Sequence, residues 1–415
     1  MAGVIRDRRA ILALLTGLNF LNYIDRAVIA AVVKPMKDAL ELSNFEAGML
    51  NSAFLIGYFV ASPLFGARAD KAARKKLITL GVAVWSLATV ASGLATGFWT
   101  LLLARIVVGV GEASYAVLAP TIIDDLTPAD RKGKALAVFY LATPLGYAIG
   151  YILGGTISTH WGWREAFFVA GGPGVVLAVL CLAIEEPVRK LADAKARMID
   201  GLREIVQIPL FRRIILGYCA WNAAVGAFSY WAPNFLLERF KQLDGEQANT
   251  RFGLVLIVAG AIGTYVGGAW ADRGMRRLPQ AAADAPYDAP AHKAAVALLL
   301  KICAVGIGIA APLAALCFYM PTSNGFFAIA FVVEIGVFVS TSPINAATLR
   351  AVPLERRASA MAATIFAIHL FGDLWSSAAL GLVQDLIELR LAMMALPITF
   401  AVAALIWWPR RRETA

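Results

Sequence analysis

Arg105-Ile-Val-Val-Gly-Val-Gly-Glu112 is the stretch that decides the fold, because it places an arginine and a glutamate within a continuous apolar segment. The segment from Leu101 to Pro120 is long enough to cross a lipid bilayer as a helix. A charge at the bilayer centre costs about 3 kcal/mol on insertion scales, so such residues are expected to face a bundle interior or a watery cavity. Arg105 and Glu112 share nearly one helix face, about 10 Å apart along the axis. Each is therefore expected to find a partner on another helix.

The rest of the chain is similarly apolar. Of its 415 residues, 60% are hydrophobic and 16% are charged, whereas soluble domains carry about 25% charged residues. Runs of about 20 residues with few or no charges recur from end to end, which is the length that a transmembrane helix needs. The composition therefore predicts an all-α polytopic membrane protein. The net charge of +10 comes mainly from loops, and it does not indicate a nucleic-acid partner.

We predict twelve transmembrane helices in two six-helix halves. The halves cover residues 1–184 and 212–415, and a cytoplasmic linker at 185–211 is either a plain connection or in part an amphipathic helix. The predicted spans are approximately 10–32, 45–67, 77–96, 98–120, 133–158, 166–184, 212–235, 251–271, 294–316, 322–349, 358–383 and 391–408.

The basic residues of the loops predict the orientation. Alternate connections place 28 of the Lys and Arg residues on one side of the membrane and 7 on the other. By the positive-inside rule this predicts that both termini are cytoplasmic, in an integral protein of a bacterial inner membrane. The four cysteines have no metal-binding spacing, so we expect buried core residues and neither a metal nor a cofactor.

Two pairs of loops repeat along the chain. Residues 66–76 (GARADKAARKK) resemble residues 268–277 (GAWADRGMRR), and residues 126–132 resemble residues 352–357. Each pair is separated by roughly the length of one six-helix half. Internal symmetry of this kind is typical of secondary transporters, in which the substrate site lies near the bilayer midplane.

The first of these loops resembles the signature loop of the major facilitator superfamily. In this interpretation Gly66 permits close helix approach, Asp70 pairs with the end of a neighbouring helix, and Arg74 stays in water. Such a latch stabilises one global conformation of a transporter; the alternative is a basic loop that only sets topology. The candidate latch residues are Gly66, Asp70, Arg74, Gly268, Asp272 and Arg276.

The fifth predicted span carries a face of glycines. Gly146, Gly150 and Gly154 recur every fourth residue, with Gly155 beside them. Small residues at this spacing let membrane helices pack closely. The pattern also resembles a motif of antiporter branches of the superfamily, so antiport and simple close packing both remain open.

Four charges lie within the predicted spans of the first half: Asp25, Arg26, Arg105 and Glu112. They sum to zero, so we predict a buried network in which Arg26 pairs with Glu112, and Asp25 pairs with Arg105 or a nearby donor. Burial favours the neutral form of a carboxylic acid, so these acids are candidate proton carriers. The alternative is a set of permanent salt bridges that fixes the bundle. Tyr115 is expected to hydrogen-bond within the network.

The motifs of the first half are similar to those of the spinster family, whose members export lysophospholipids or sphingosine phosphate in animals. The resemblance is carried by residues 22–26 (NYIDR), by Arg105 with residues 109–115 (GVGEASY), by Pro120, and by the TPxxR pattern at 127–131. It implies the twelve-helix major facilitator fold and proton-linked lipid export. It also implies that the four buried charges are the coupling and headgroup-binding residues.

The second half offers fewer buried polar groups. Glu334 has no local charged partner in the sequence, which suggests a cavity-facing position. His369 and Asp373 are four residues apart and share a helix face; they either relay protons or satisfy each other. The full set of candidate substrate-binding residues is Arg26, Arg105, Glu112, Tyr115, Asn222, Glu334, His369 and Asp373.

The sequence thus predicts a proton-coupled secondary transporter of an amphipathic, anionic lipid-like solute, working as a monomer among membrane lipids. A Walker-type nucleotide-binding motif is absent from the sequence, which disfavours an ATP-driven pump. One alternative is a proton-linked exporter of drugs or other organic anions. Another is a membrane-embedded, lipid-modifying enzyme that uses His369 and Asp373 as an acid–base pair.

Overall fold

The computed structural model describes residues 5–69, 72–128, 131–186, 204–278 and 289–409. Nearly all of these residues are helical, as the apolar runs predict. The first eight helices are α1 (Arg8–Ala39), α2 (Asn44–Ala69), α3 (Arg74–Gly93), α4 (Phe98–Leu126), α5 (Lys132–His160), α6 (Trp163–Leu182), α7 (Pro209–Arg239) and α8 (Gly245–Arg276).

Of the remaining helices, the first is long and those that follow it are shorter. In chain order they are α9 (Pro290–Phe318), α10 (Ser323–Phe338), α11 (Thr341–Arg350), α12 (Arg357–Ile368), α13 (Leu374–Leu386), α14 (Leu389–Met393) and α15 (Ala395–Trp407). A 3-10 turn (Leu354–Arg356) precedes α12, and a π-helical turn (His369–Asp373) joins α12 to α13.

Two compact units divide the chain. The first comprises Met1–Leu191, Ser229–Leu254 and Ser377–Asp385, and the second comprises Ala192–Phe228, Val255–Ser376 and Leu386–Ala415. The first unit thus includes two segments that follow the predicted linker in sequence. The predicted linker itself falls largely outside the described residues.

Ten helical stretches in the described part of the chain are long and apolar enough to cross a membrane. Helices α1 and α7 have 32 and 31 residues, so they also have the necessary length. Both carry several charged residues, which lowers their hydropathy.

The predicted span at 322–349 is not one continuous helix. It divides into α10 and α11 at Val339 and Ser340, where the backbone N–H of Ser340 bonds to the carbonyl of Val337 rather than one residue further back. The Ser340 hydroxyl donates to the carbonyl of Cys303 on α9. The break thus lies where α10 is bonded to α9 through a side chain.

Candidate functional site

Helix α1 is held against α5 by a seam of glycines. A Cβ atom added at Gly150 would lie 2.6 Å from that of Ala27, and one at Gly154 would lie 2.7 Å from that of Ala31. Gly146 similarly faces the backbone of α1. The close packing predicted for these glycines is confirmed, while antiport stays a prediction. The seam fixes the position of the helix that carries two of the four buried charges.

Arg26 of α1 and Glu112 of α4 form the ion pair that the sequence predicts. The Nε and Nη2 atoms of Arg26 each lie 2.8 Å from Oε2 of Glu112. The Glu112 side chain is fully buried, whereas that of Arg26 is 16% exposed. The arginine is therefore the more accessible partner.

Asp25 and Arg105 form the second predicted pair, at a longer distance. Nη1 of Arg105 lies 3.7 Å from Oδ1 of Asp25, and both side chains are 1% exposed. The hydroxyl of Thr89 on α3 donates to Oδ2 of Asp25 at 2.8 Å. Adjacent residues on a helix point about 100° apart, so Asp25 and its neighbour Arg26 reach different partners.

The buried cluster (Asp25, Arg26, Arg105 and Glu112) is not fully satisfied. Within the described residues, hydrogen-bond partners are lacking for Oδ1 of Asp25, Oε1 of Glu112, and Nε and Nη1 of Arg105. Most buried polar groups in proteins are hydrogen-bonded, and an unsatisfied one costs about 1–3 kcal/mol. The cluster therefore keeps unused donors and acceptors with which it can bind a proton, a water molecule or a ligand.

Aromatic rings surround the guanidinium of Arg26. Its central carbon lies 5.1 Å from the ring centre of Tyr23, 4.9 Å from that of Phe54 and 5.4 Å from that of Tyr58. Arg105 lies 5.2 Å from the Phe54 ring. A cation over an aromatic face gains about 2 kcal/mol when it is desolvated. The rings thus hold the guanidinium even when its carboxylate partner is neutral.

Tyr115 is not part of the buried cluster, so the expectation that it hydrogen-bonds there is wrong. Its hydroxyl donates to the backbone carbonyl of Leu15. Its ring packs against Trp85 at 5.6 Å and Phe139 at 6.2 Å. Although Tyr115 lies within one turn of Glu112, its side chain points toward the backbone of α1 and packs against neighbouring aromatic rings.

Three second-half candidates lie near the π-helical turn. Nδ1 of His369 is 3.0 Å from Oδ2 of Asp373, and the side-chain amide of Asn222 donates to the carbonyl of Ile368 at 2.9 Å. A π-turn inside an α-helix is frequently found at functional sites. The side chains of His369 and Asp373 are 31% and 17% exposed, so they satisfy each other while remaining partly accessible.

Glu334 lies in the C-terminal half of α10. It is 6% exposed, and the prediction that it faces a cavity stays a prediction. Its carboxyl group has neither a hydrogen bond nor an ion pair with any residue that the structure describes. It is therefore a buried acid without a compensating charge.

The first candidate latch differs from the prediction at two positions. Arg74 does not stay in water: it is 3% exposed, because its guanidinium lies 2.7 Å from Asp125 and 3.2 Å from Glu186. A Cβ atom at Gly66 would meet nothing within 4 Å, so Gly66 does not mediate close helix packing here. Asp70 lies outside the described residues.

The second candidate latch lies at the end of α8. Asp272 and Arg276 are exposed, and a Cβ atom at Gly268 would make only ordinary contact with Ser342, at 3.6 Å. A latch role for either loop stays a prediction.

A polar network in the first unit was not predicted. The Asp385 carboxylate accepts hydrogen bonds from the backbone N–H groups of Asn44 (2.9 Å) and Phe45 (2.8 Å), at the N-terminus of α2. Nζ of Lys37 donates to Asn44 at 2.7 Å and to Glu238 at 3.0 Å. Asn44 and Asp385 are 341 residues apart in the chain, so no local pattern could have indicated their contact. We call this set the outer network.

Helix backbones come very close just beside the outer network. A Cβ atom at Gly48 would overlap the carbonyl oxygen of Ser377, and one at Gly381 would overlap that of Asn44. The side chain of Asn51 donates to the Ser377 hydroxyl at 3.0 Å. These segments of the first unit therefore meet with no room for a methyl group.

The fold and the buried charges together define a membrane transporter. A family model described as Major Facilitator Superfamily matches residues 15–372. The crystal structure of a D-xylose-proton symporter aligns with a TM-score of 0.76 at 16% identity, covering 98% of each chain. The architecture is the twelve-helix transporter fold, as predicted, and the matched proteins are transporters rather than enzymes.

Two relatives and one solved structure identify the family within this superfamily. A probable sphingolipid transporter, spinster homolog 2 of Arabidopsis thaliana, is 32% identical over 94% of this chain and 84% of its own. Protein spinster homolog 1 of Homo sapiens is 31% identical over 90% and 72%. The solved structure of a bacterial homologue of the human lysosomal transporter spinster, inward-facing, aligns with a TM-score of 0.83 at 23% identity, covering 97% and 96%. The chain belongs to the spinster family of the major facilitator superfamily, as its motifs indicated.

Proposed function

We propose that this protein is a proton-coupled secondary active transporter that moves an amphipathic, anionic lipid-like solute by alternating access. The substrate class is a single-chain lipid with an anionic headgroup, such as a lysophospholipid or a sphingoid-base phosphate. The description of the Arabidopsis relative as a probable sphingolipid transporter supports a lipid. The distribution of basic loops supports cytoplasmic termini in a bacterial inner membrane.

The observation that carries the proposal is the incomplete pairing of the buried cluster. Two carboxylates and two guanidinium groups lie together, yet one pair is separated by 3.7 Å and each pair retains atoms without hydrogen bonds among the described residues. Permanent structural salt bridges are favourable only when their geometry is good and the remaining donors and acceptors are satisfied. The buried cluster is better suited to a role in which its carboxyl groups change protonation and its charged groups change partners.

Glu112 is the proton carrier in this scheme. Its ionised form is favoured by the facing guanidinium of Arg26 and disfavoured by burial, so its affinity for a proton depends on how close Arg26 lies. Protonation of Glu112 removes the charge that holds Arg26, and a guanidinium released in this way can bind an anionic headgroup through two parallel hydrogen bonds. Arg26 therefore binds either the headgroup, while Glu112 is protonated, or the ionised Glu112, after the proton has been released. Asp25 and Arg105 form the second, looser pair of the same scheme.

Reconstituted protein with a fluorescent lysophospholipid in lipid vesicles tests the proposal. Uptake should respond to an imposed pH gradient in the wild type, and Glu112→Gln should transport without that response, because the amide cannot exchange a proton. A monoacylglycerol, which lacks the anionic headgroup, should not compete.

The matched control is Glu388→Gln, which makes the same chemical change at an exposed pair with Arg390. This variant should keep the gradient response. Transport that is indifferent both to the gradient and to Glu112→Gln would overturn proton coupling at this cluster, and equal competition by the neutral lipid would overturn the anionic substrate.

A further inference from the structure

The second unit contains a buried acid that the proposed function does not use. Glu334 lies in the C-terminal half of α10, within a predicted span, and is 6% exposed. No described residue forms a hydrogen bond or an ion pair with its carboxyl group. Ionisable residues within membrane spans are rare and usually serve a function.

Among the described residues, the two helices shown to pack on α10, α9 and α8, place no cation at this position. Helix α9 contacts α10 through Gly306, whose Cβ position lies 2.7 Å from the carbonyl oxygen of Gly336. The ionisable group of α9 that faces Glu334 is the Cys317 thiol, which donates to the carbonyl of Phe326 at 3.3 Å. Lys301 of α9 is exposed, so it does not compensate the acid.

Helix α8 packs on another side of α10, where Gly263 meets the carbonyl of Ile335. Between Arg251 and Asp272, α8 carries a single ionisable residue, Tyr265, and this side chain is 76% exposed. Neither α8 nor α9 thus places a cation among the described residues that face Glu334.

These surroundings determine the charge of Glu334. Burying an ionised carboxylate without a partner costs far more free energy than burying a neutral acid, whose cost is similar to that of an unpaired hydroxyl. The free-energy difference favours the protonated form in this conformation. A residue that served packing alone would not need to be an acid, because leucine or glutamine fills a similar volume.

We infer that Glu334 is a second proton-binding site of this protein, separate from the buried cluster of the first unit. It holds a proton in the present conformation, and it releases that proton when a rearrangement of α10 brings water or a cation to the carboxyl group. The inference concerns proton binding by the second unit, and it does not depend on which solute the protein moves.

Dicyclohexylcarbodiimide, an apolar reagent that reacts with protonated carboxyl groups, tests the inference. The acid gives its proton to one reagent nitrogen while a carboxyl oxygen bonds to the central carbon. The resulting O-acylisourea rearranges to a stable N-acylurea. Nothing leaves and nothing is oxidised or reduced, so the labelled peptide gains the mass of one reagent molecule, which mass spectrometry locates.

We expect an adduct on Glu334 of the folded wild-type protein at acidic pH, which mass spectrometry separates from any adduct on Glu112 by its peptide. The yield should fall about tenfold per pH unit once the carboxyl ionises. Glu334→Gln should lose this adduct and melt within about 2 °C of the wild type, because a neutral amide replaces a neutral acid of similar size.

Absence of the adduct at every pH from about 5 to about 9, or a yield that does not change over this range, would overturn the inference. The measurement needs no transport and no substrate. Failure of labelling is therefore distinguishable from failure of the proposed transport function, which is read from vesicle uptake.

Discussion

Each of the two units contains a buried acid, but the surroundings of these acids differ. In the first, Glu112 is fully buried with two guanidinium nitrogens at 2.8 Å, and aromatic rings hold the guanidinium from other sides. In the second, Glu334 is buried with no cation among the described residues. A facing cation lowers the cost of ionising a buried acid, whereas a buried acid without a partner bears the full cost of losing its hydration.

This difference predicts opposite responses to substitution. Removing the cation from the first unit leaves a buried negative charge, but replacing Glu334 by glutamine changes no charge in this conformation. Substitution at the glutamate site of the first unit should therefore have a large electrostatic cost, and substitution at that of the second unit a small one. The experiments below test this comparison, beginning with the largest expected effect.

Arg26→Ala should give the largest effect. It leaves Glu112 without its partner, and breaking a buried ion pair in this way typically costs 3–5 kcal/mol. We expect a lower midpoint of thermal denaturation in detergent, and loss of the pH-gradient response as complete as in Glu112→Gln. The destabilisation should shrink in acidic buffer, since protonation removes the unpaired charge.

The double variant Arg26→Ala with Glu112→Gln separates charge from packing. It should recover most of the stability lost by Arg26→Ala, because neither charge remains, but none of the coupling. If the double variant is as unstable as the single one, the loss is due to packing of the arginine rather than to its charge. Intact coupling in Arg26→Ala would refute the shared network.

Gly150→Ala should give an intermediate effect, by displacing the helix that carries the charges. The added methyl group would lie 2.6 Å from Ala27, and overpacking of this kind costs about 1–3 kcal/mol. Gly133→Ala is the matched control on the same helix, because its Cβ position meets nothing within 4 Å. We expect a lower denaturation midpoint for Gly150→Ala only. Equal denaturation midpoints for the two variants would show that α1 and α5 can move apart at no cost in stability.

Asp373→Asn should give the smallest effect. The pair with His369 is partly exposed on both sides, and partly exposed ion pairs contribute about 0–1 kcal/mol. A loss comparable with that of Arg26→Ala would show that the second unit also contains a strongly coupled charge pair.

The sequence predicted the features that depend on local pattern or on simple charge balance. The helical fold followed from apolar length, and the pairing of Arg26 with Glu112 followed from the cost of isolated charges in a membrane. Tyr115 was misplaced because the side chain's direction depends on the ring packing around it. Arg74 was misplaced because its partners Asp125 and Glu186 come from distant parts of the chain.

Other features need three-dimensional information altogether. Thr89 is one of many hydroxyl groups in the spans, and only the structure shows that it donates to Asp25. The isolation of Glu334 is a property of neighbouring helices rather than of α10. The outer network joins residues up to 341 positions apart, so its formation depends on tertiary folding.

The glycines beside the outer network have a practical consequence. Because Gly48 and Gly381 leave no room for a side chain, alanine at either position would act as a wedge that is tolerated only where the two segments have moved apart. A cysteine pair at Asn51 and Ser377 would act as a staple with the opposite effect. The same small contact region thus offers both a way to hold these segments open and a way to hold them closed, with changes of only a few atoms.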